Sequence, residues 1–343
     1  MSDIRRNLDN EFAYRRDRAL WEAERRKQEV ISKIPEIGSI EAEITLTGLR
    51  FARGIISEDL PSMDSEALTE RLNQLKRRKE ELLLSANYPA DYLEPRFSCG
   101  ICEDRGYVAD ESGNYVPCSC YRKLYLQRLY EFSNILDDGN TGFKFFNEEY
   151  FSDKPSKQKY KSEISPRENI LAIRDHCLKF IDNFSDKNTW NMYFFGPTGT
   201  GKTFLAKSCG LELIKKGYSV LYLSAPTLFS IIHRYRISNP SEDTEAEQAY
   251  RNLITTNLLI LDDLGTEPRS DARYAELLSL IELRKNRDNT TATKTIISSN
   301  LDLKHLFQEY NERIASRIVG EFDTFRFFGD DIRIVKKIGK MSP

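Results

Sequence analysis

The sequence predicts a three-layer α/β domain with a parallel sheet, preceded by an α-helical region and a small metal-binding module. Three observations predict it. From about residue 163, short apolar runs alternate with helical patterns, which is typical of a parallel sheet covered by helices. The first 90 residues are densely charged at helical spacing, and four cysteines lie between these two parts. We therefore divide the chain into a helical region (1–90), a cysteine module (91–125), a linker (126–162) and the α/β domain (163–340).

Length and composition bound the class of protein. The chain has 343 residues, enough for two domains, of which 40% are hydrophobic and 30% charged. No apolar run approaches the ~20 residues that cross a bilayer, and the first residues do not form a secretion signal. We therefore expect a cytoplasmic protein with no membrane partner. The net charge of −2 excludes a strongly basic nucleic-acid binder, so any contact with DNA would need a local basic patch or a ring of subunits.

Pro35 and Pro61 divide the helical region into about three helices. The middle helix has apolar residues near helical spacing. The third has a heptad-like stripe that Lys79 interrupts, and it is too short to predict a coiled coil. We interpret the region either as a small bundle with its own core or as a docking module for a partner protein. The apolar positions are Ile37, Ile40, Ile44, Phe51 and Ile55 in the middle helix and Leu68, Leu72, Leu75 and Leu82 in the third.

The cysteine module has the spacing C-x₂-C-x₁₅-C-x-C. Thiols of a cytoplasmic protein stay reduced, so a cluster of them indicates a metal site. Four thiolates complete a tetrahedral Zn²⁺ shell without an open position, which predicts a structural zinc. Gly113 and Asn114 allow a hairpin turn between the two pairs. The alternatives are an iron–sulfur cluster or four unrelated thiols. The predicted ligands are Cys99, Cys102, Cys118 and Cys120.

The α/β domain opens with a strong helix signal. Ser165 to Glu168 gives a hydroxyl at the N-cap, a proline at the first helical position and a glutamate two residues later, and the helix is expected to run to about Phe184. The linker before it is rich in aromatic residues between 143 and 151. A further helix is predicted from Lys202 to Lys216. The predicted buried strands are Asn191–Phe195, Ser219–Leu223, Leu258–Leu261 and Thr295–Ser299.

A glycine-rich loop follows the first strand and fits G-x-x-x-x-G-K-[ST] at every position. Its backbone N–H groups and the N-terminus of the next helix bind phosphate oxygens. Lys202 is expected to reach the β- and γ-phosphates, and the Thr203 hydroxyl to ligate Mg²⁺. The motif therefore predicts a P-loop that binds ATP with Mg²⁺ as cofactor. Its residues are Gly196, Pro197, Thr198, Gly199, Thr200, Gly201, Lys202 and Thr203.

Polar residues end the third and fourth strands, where α/β sheets bind ligands. Asp262 is the expected Mg²⁺ partner, and Asp263 is the candidate that orients the attacking water. Asn300 is expected to contact the γ-phosphate or that water. An acidic turn and ordinary turn chemistry are the alternative interpretations.

These motifs, with Glu312–Arg317 and Asp331–Arg333, resemble those of the AAA+ ATPases. More narrowly, Leu259–Glu267 (LILDDLGTE) and Ile296–Leu301 (IISSNL) resemble the bacterial replicative-helicase loaders of the DnaC/DnaI type and the related transposase helpers of the IstB type. The resemblance covers about residues 140 to 337. It implies an AAA+ P-loop fold and an ATPase that acts as a homo-oligomer.

The resemblance also assigns two arginines. Arg317 would be the arginine finger that enters a neighbouring subunit's site, with Arg313 as a competing candidate. Arg333 would contact the γ-phosphate in its own subunit. A fixed guanidinium suits both roles because it stabilises charge on the transferred phosphoryl group. Most AAA+ proteins have glutamate where Asp263 stands, which suggests slow, assembly-dependent turnover.

The connection Ala225–Asn257 is long for a link between strands. Initiators and loaders of this kind have a helical insertion here, and its cationic and aromatic residues would suit single-stranded DNA. An amphipathic helix with a solvated face is the alternative, and the acidic run Glu242–Glu247 is expected to be a flexible tip. The residues considered for DNA are Phe229, His233, Arg234, Tyr235 and Arg236.

Taken together, the resemblance implies an ATP-dependent loader of the replicative DNA helicase that also binds single-stranded DNA. A transposase helper of the IstB type and a scaffold that binds ATP with little turnover are the alternatives. A small-molecule P-loop kinase is disfavoured, since the sequence has arginines after Asn300 and no evident lid over an acceptor.

Overall fold

The computed structural model describes residues 2–57, 62–136, 139–238, 243–267, 271–285 and 292–339. The chain forms two compact units, Arg5–Arg122 and Lys123–Pro343, and the second includes Met1–Ile4. Every helix within the described ranges is too short or too polar to span a bilayer.

The first unit begins with three helices: α1 (Ser2–Lys33), α2 (Pro35–Ser57) and α3 (Ser62–Ser85). Their division at Pro35 is as predicted, whereas Pro61 and the side chains of Phe51 and Ile55 lie outside the described residues. The helices have an apolar core of their own, which supports the interpretation as a small bundle. Its buried residues are Val30, Ile37, Leu83 and Leu93.

Lys79, which interrupts the apolar stripe of α3, takes part in an ion-pair network. Its Nζ lies 3.1 Å from Oε1 of Glu41 on α2, and Oε2 of the same glutamate lies 2.7 Å from Nζ of Lys27 on α1. The polar residue in the stripe therefore connects three helices through one carboxylate, which explains why an apolar residue is not needed there.

The cysteine module is a short hairpin followed by a helix. Strands β1 (Tyr107–Ala109) and β2 (Tyr115–Pro117) pair antiparallel, and the Asp110 carboxylate accepts two backbone N–H groups within the turn. Helix α4 (Ser119–Ser133) continues past residue 125, where the sequence suggested that the module ends. Within this unit the Tyr121 hydroxyl donates to Oδ1 of Asp9 on α1, at 2.8 Å. The module is thus packed on the first helix.

The second unit contains a five-stranded parallel sheet with the order β4-β5-β6-β3-β7. Its strands are β3 (Asn191–Phe195), β4 (Val220–Ser224), β5 (Leu258–Leu264), β6 (Lys294–Ser299) and β7 (Phe322–Arg326). The four predicted strands are present, and β7 is an addition. Because β6 lies between β3 and β5, the P-loop, Asn300 and the two aspartates end three adjacent strands on one edge of the sheet.

Helices cover both faces of this sheet, as in other three-layer α/β domains. The capping box predicted before α6 is present: the Ser165 hydroxyl accepts the Glu168 N–H, and the Glu168 carboxylate accepts the Ser165 N–H. The predicted linker forms two 3₁₀ turns, Phe143–Phe145 and Glu148–Tyr150, and a single α-helical turn, α5 (Lys157–Tyr160). The remaining helices are α6 (Pro166–Asp182), α7 (Lys202–Lys215), α8 (Ala225–Ile237), α9 (Thr244–Thr255), α10 (Asp271–Lys285), α11 (Leu303–Glu321) and α12 (Ile332–Gly339).

Candidate nucleotide site and candidate metal centre

A cavity of about 460 Å³ lies at the carboxyl edge of the sheet. Most of the P-loop lines it, together with the polar residues that end β5 and β6. Arg333, which lies far from the loop in sequence, reaches the same cavity from α12. The predicted site residues that line it are Thr198, Gly199, Gly201, Lys202, Thr203, Asp263, Asn300 and Arg333.

The P-loop has glycine at two positions where another part of the chain lies against it, a backbone carbonyl at one and a side chain at the other. A Cβ atom on Gly196 would come within 2.1 Å of the Phe327 carbonyl oxygen, and one on Gly199 within 2.1 Å of the Asp331 carboxyl group. The N–H of Ile332 also donates to the Gly199 carbonyl, at 2.9 Å. The segment after β7 is therefore docked on the loop, and this contact brings Arg333 to the cavity.

Lys202 is buried, with 5% of its surface exposed. Its Nζ donates to the carbonyl oxygens of Gly196 and Pro197, at 2.7 and 2.8 Å, and to Oδ1 of Asn300, at 2.9 Å. Burial lowers the pKa of this lysine to about 8. All three of these acceptors are neutral, so a phosphate group would supply the ammonium with an anionic partner.

Asp262 and Thr203 lie side by side as a set of hard oxygen donors. The Thr203 hydroxyl donates to Oδ1 of Asp262 at 3.1 Å, and the carboxylate is 2% exposed. Hydroxyl and carboxylate oxygens are the ligands that Mg²⁺ prefers. The residues present therefore fit a magnesium ion at the positions predicted from the motifs.

Asp263 has a backbone conformation that the sequence does not reveal. Its φ is +56°, in the left-handed region that costs a non-glycine residue about 1–2 kcal/mol. Its N–H donates to Oγ of Ser298 at 3.3 Å. Desolvation at the cavity wall, followed by the charge of Asp262, raises the pKa of the Asp263 carboxyl group. Such strain is found where the surrounding structure fixes a functional residue.

An aromatic wall of the cavity was missed by the sequence analysis. The Phe146 and Phe151 rings stack with centroids 6.1 Å apart, and the Lys336 ammonium lies 4.8 Å from the Tyr150 ring centre. Phe145 completes the wall. A flat apolar surface of this kind suits a nucleobase. The dense aromatic residues of 143–151 were a visible signal, but their linker position gave no reason to connect them with the P-loop.

Arg317 does not line this cavity. It lies near the end of α11, where its guanidinium pairs with Glu321 at 2.6 Å and with Glu282 at 2.9 Å. Arg313 is exposed on the same helix. A finger residue acts on a neighbouring subunit, so its distance from its own cavity does not bear on that role, which stays a prediction.

The insertion between β4 and β5 consists of α8 and α9, and its basic residues are engaged within the domain. Arg234 pairs with Asp243, at 2.9 Å, and Arg236 pairs with Glu276 on α10, at 3.0 Å. The Tyr235 ring stacks on another tyrosine with centroids 4.0 Å apart. The acidic run was predicted to be a flexible tip, but its residues 243–247 form the start of α9. Asp243 caps this helix, and acidic residues in a first turn stabilise a helix N-terminus.

The four cysteines of the module converge on one point. Their Sγ atoms all lie within 4.8 Å of one another, with Cys99 and Cys118 at 4.0 Å and Cys102 and Cys120 at 3.5 Å. Zinc–sulfur bonds of about 2.3 Å in a tetrahedron would separate the sulfurs by about 3.8 Å. The four thiols therefore fit a closed tetrahedral zinc site.

The backbone around Cys99 is arranged to support a thiolate. The buried Asp104 carboxylate accepts the N–H groups of Ser98 and Cys99, at 2.8 and 3.0 Å, and folds the chain into a tight knuckle. Hydrogen bonds from the N–H groups of Cys102 and Ile101 lower the pKa of Cys99 to about 7. The donor set and its geometry support the zinc prediction.

Comparison with known proteins finds a family of ATP-binding proteins and relatives named as helicase loaders or insertion-sequence proteins. Residues 172–321 match the family described as IstB-like ATP binding protein. A replicative helicase loader DnaC of Buchnera aphidicola is 31% identical over 149 residues, which is 43% of this chain and 56% of the relative. An ATP-binding protein of insertion sequence IS232 from Bacillus thuringiensis is 25% identical over 191 residues, which is 55% of this chain and 72% of the relative.

Among solved structures, the crystal structure of the DnaC helicase loader is similar, with 23% identity and a TM-score of 0.40 over 53% of this chain and 96% of that chain. The match to the ATP-binding family rests on sequence alone and covers β3 to α11. Residues 172–321 thus match a family of IstB-like ATP-binding proteins, and the predicted resemblance to that family is confirmed for this part of the chain.

Proposed function

We propose that this protein is an ATP-dependent loader of the replicative DNA helicase that works as a homo-oligomer. The observation that carries the proposal is the combination of an IstB-like ATP-binding domain with a separate N-terminal unit of helices and clustered cysteines. A unit of this kind offers a docking body for a partner protein. Relatives of the ATP-binding domain include helicase loaders named DnaC.

Nucleotide binding would use the P-loop as an anion site. Its N–H groups and the N-terminus of α7 would hold the phosphates, and the Lys202 ammonium would exchange neutral carbonyl partners for phosphate oxygens. Thr203 and Asp262 would hold Mg²⁺, which neutralises phosphate charge when bound. The aromatic wall near Phe146 and Phe151 would cover the base.

Hydrolysis would depend on Asp263 and Asn300 at the edge of the same cavity. Asp263 would accept a hydrogen bond from the attacking water, and its raised pKa brings it closer to the range of a general base. Asn300 would orient the water or the γ-phosphate. Arg333 would stabilise the charge of the transferred phosphoryl group from its own subunit, and Arg317 from the neighbour.

The oligomeric step can be tested by mixing inactive variants. Lys202→Ala removes the phosphate-binding cation, and Arg317→Ala removes the proposed finger, so each should lose ATP hydrolysis while Arg317→Ala still binds ATP. A mixture should recover activity, because a Lys202→Ala subunit supplies Arg317 to an intact site on the other. Arg251→Ala, which removes a surface ion pair with Glu247, is the matched control and should retain turnover. A mixture as inactive as its components would argue against a finger in trans.

The partner distinguishes the loader from its main alternative. The similarity to an ATP-binding protein of an insertion sequence favours a transposase helper as the second candidate. Affinity capture on the full-length chain with ATP and Mg²⁺, followed by mass spectrometry, should recover the replicative helicase. Recovery of a transposase instead would reject the loader assignment. We also propose that the ATP-binding domain contacts single-stranded DNA, and stimulation of phosphate release by single-stranded DNA would test this. Arg234 and Arg236 on α8 are held in ion pairs, so both would have to leave their carboxylate partners to bind DNA phosphates.

A further inference from the structure

The Asp262 carboxylate accepts hydrogen bonds from three hydroxyl groups, one of which, on Tyr222, lies outside the sequence motifs. The Tyr222 hydroxyl donates to Oδ2 at 2.6 Å, and Oγ of Ser298 makes a short hydrogen bond to Oδ1. The third donor is Thr203, which also bonds to Oδ1. The carboxylate is therefore held at both oxygens.

The two additional donors come from the strands on either side of Asp262. Strand β5 lies between β4 and β6, and Tyr222 on β4 is in register with Ile260 on β5. Ser298 follows Ile297 on β6, which is in register with Leu261. These two hydroxyls belong to strands of the sheet, whereas Thr203 belongs to the P-loop helix α7.

The Thr203 hydroxyl differs from the other two because it is itself a predicted metal ligand. The position of its oxygen would therefore depend on the metal. Tyr222 and Ser298 are not predicted ligands, so they would fix the rotation of the carboxylate independently of the metal. Partners of metal ligands in this position typically change metal affinity when removed.

We propose that Tyr222, together with Ser298, is a positioning residue that orients the Asp262 carboxylate toward Mg²⁺ and so sets the metal affinity of the nucleotide site. This inference rests on the proposed ATP·Mg²⁺ function of the site. It adds to that function a residue on β4, a strand that contributes nothing to the sequence motifs.

The surroundings of Tyr222 keep its hydroxyl in place. The Lys207 ammonium of α7 lies 4.4 Å from the centre of the ring, a cation–π contact that fixes the ring plane. A tyrosine hydroxyl is a hydrogen-bond donor at neutral pH, because the ordinary pKa of tyrosine is about 10. The hydrogen bond is therefore available over the whole physiological range.

Tyr222→Phe tests the inference because it removes only the hydroxyl. We expect the Mg²⁺ concentration that gives half-maximal binding of a fluorescent ATP analogue to rise about tenfold, the lower end of the range for such partners of metal ligands. Mn²⁺ affinity in the presence of a non-hydrolysable analogue, measured by electron paramagnetic resonance, should fall to a similar degree. Nucleotide binding measured in EDTA should stay the same, since the P-loop is unaltered.

Tyr218→Phe is the matched control. It removes a tyrosine hydroxyl that makes a 2.5 Å hydrogen bond with Ser185, away from the metal ligands, and it should leave the metal dependence unchanged. Ser298→Ala is the second variant and should also raise the Mg²⁺ requirement. Equal metal affinity in wild type, Tyr222→Phe and Ser298→Ala would overturn the inference. A wild-type protein without any Mg²⁺-dependent affinity for ATP would instead reject the proposed function, so the two failures are distinct.

Discussion

The buried ammonium of Lys202 makes nucleotide affinity depend on pH in a defined window. Burial lowers the pKa of Lys202 to about 8, the Asp263 and Asp262 carboxylates oppose this shift, and the Arg333 guanidinium adds to it. Phosphate oxygens bind the ammonium and not the neutral amine, so nucleotide binding takes up a proton once the pH exceeds that pKa. We therefore expect the affinity for ATP·Mg²⁺ to fall as the pH rises through 8.

The magnitude follows from the protonated fraction. With a pKa of about 8, roughly 90% of Lys202 is protonated at pH 7 and roughly 10% at pH 9. The dissociation constant should therefore rise by about tenfold between these values, equivalent to about 1.4 kcal/mol. The stability of the nucleotide-free protein should depend on pH in the opposite direction. Because the unfolded chain binds more protons than the folded chain from pH 8 up to the ordinary value of 10.5, the free energy of unfolding gains from this residue as the pH rises.

Equilibrium titration of a fluorescent ATP analogue at saturating Mg²⁺, from pH 7 to pH 9, measures the effect. Lys202→Arg is the matched control, because the guanidinium stays charged over this range, and its affinity should have no such slope. In thermal unfolding without nucleotide, the stability of the wild type relative to Lys202→Arg should increase with pH. A wild-type dissociation constant that is the same at pH 7 and pH 9 would refute the reasoning.

Three further predictions concern stability, metal content and the P-loop. Arg284→Met should lower the free energy of unfolding by about 3 kcal/mol or more in urea denaturation, because it leaves several buried carbonyl oxygens without a donor; a loss under about 1 kcal/mol would contradict this. Elemental analysis should find one zinc per chain, and the double variant Cys99→Ser, Cys102→Ser should lose it, whereas a folded, metal-free wild type would exclude the zinc site. Gly199→Ala should weaken ATP binding, since φ at this position is +75° and its Cβ would displace the Asp331 carboxyl group, while Gly320→Ala, with nothing within 4 Å, should bind normally.

The parts of the fold that were predicted have local signals. The apolar runs Asn191–Phe195 and Leu258–Leu261 gave β3 and β5, and the Ser165–Glu168 box gave the start of α6. Strand β7 was missed because Phe322–Arg326, at the edge of the sheet, has apolar residues only at its first and fourth positions, and only the first is fully buried. A short run that is neither continuously apolar nor alternating does not stand out as a strand.

The candidate site was likewise predictable only where its residues have a local sequence signal. Lys202 and Asp262 belong to motifs whose spacing indicates a particular chemistry, so the sequence predicts them as site residues. Tyr222 and the aromatic wall depend on strand register and on the path of residues 143–151, which are properties of the whole domain. The left-handed conformation of Asp263 likewise lies at an irregularity in the pairing of β5 with β6, where its N–H donates to Ser298, 35 residues further along the chain.

The ion pairs of Arg317 raise the question of whether its carboxylate partners would block a role in trans. The guanidinium is 40% exposed and pairs with Glu282 and Glu321, which are 42% and 16% exposed. Ion pairs of such exposure are screened by solvent and contribute little to stability, so releasing both would cost little. An arginine finger accelerates phosphoryl transfer by about 10³–10⁵, equivalent to about 4–7 kcal/mol in the transition state. The stabilisation of the transition state exceeds the cost of breaking the two ion pairs. These pairs would therefore hold Arg317 in the separate subunit without preventing it from entering a neighbour's site, and assembly would limit the rate of turnover.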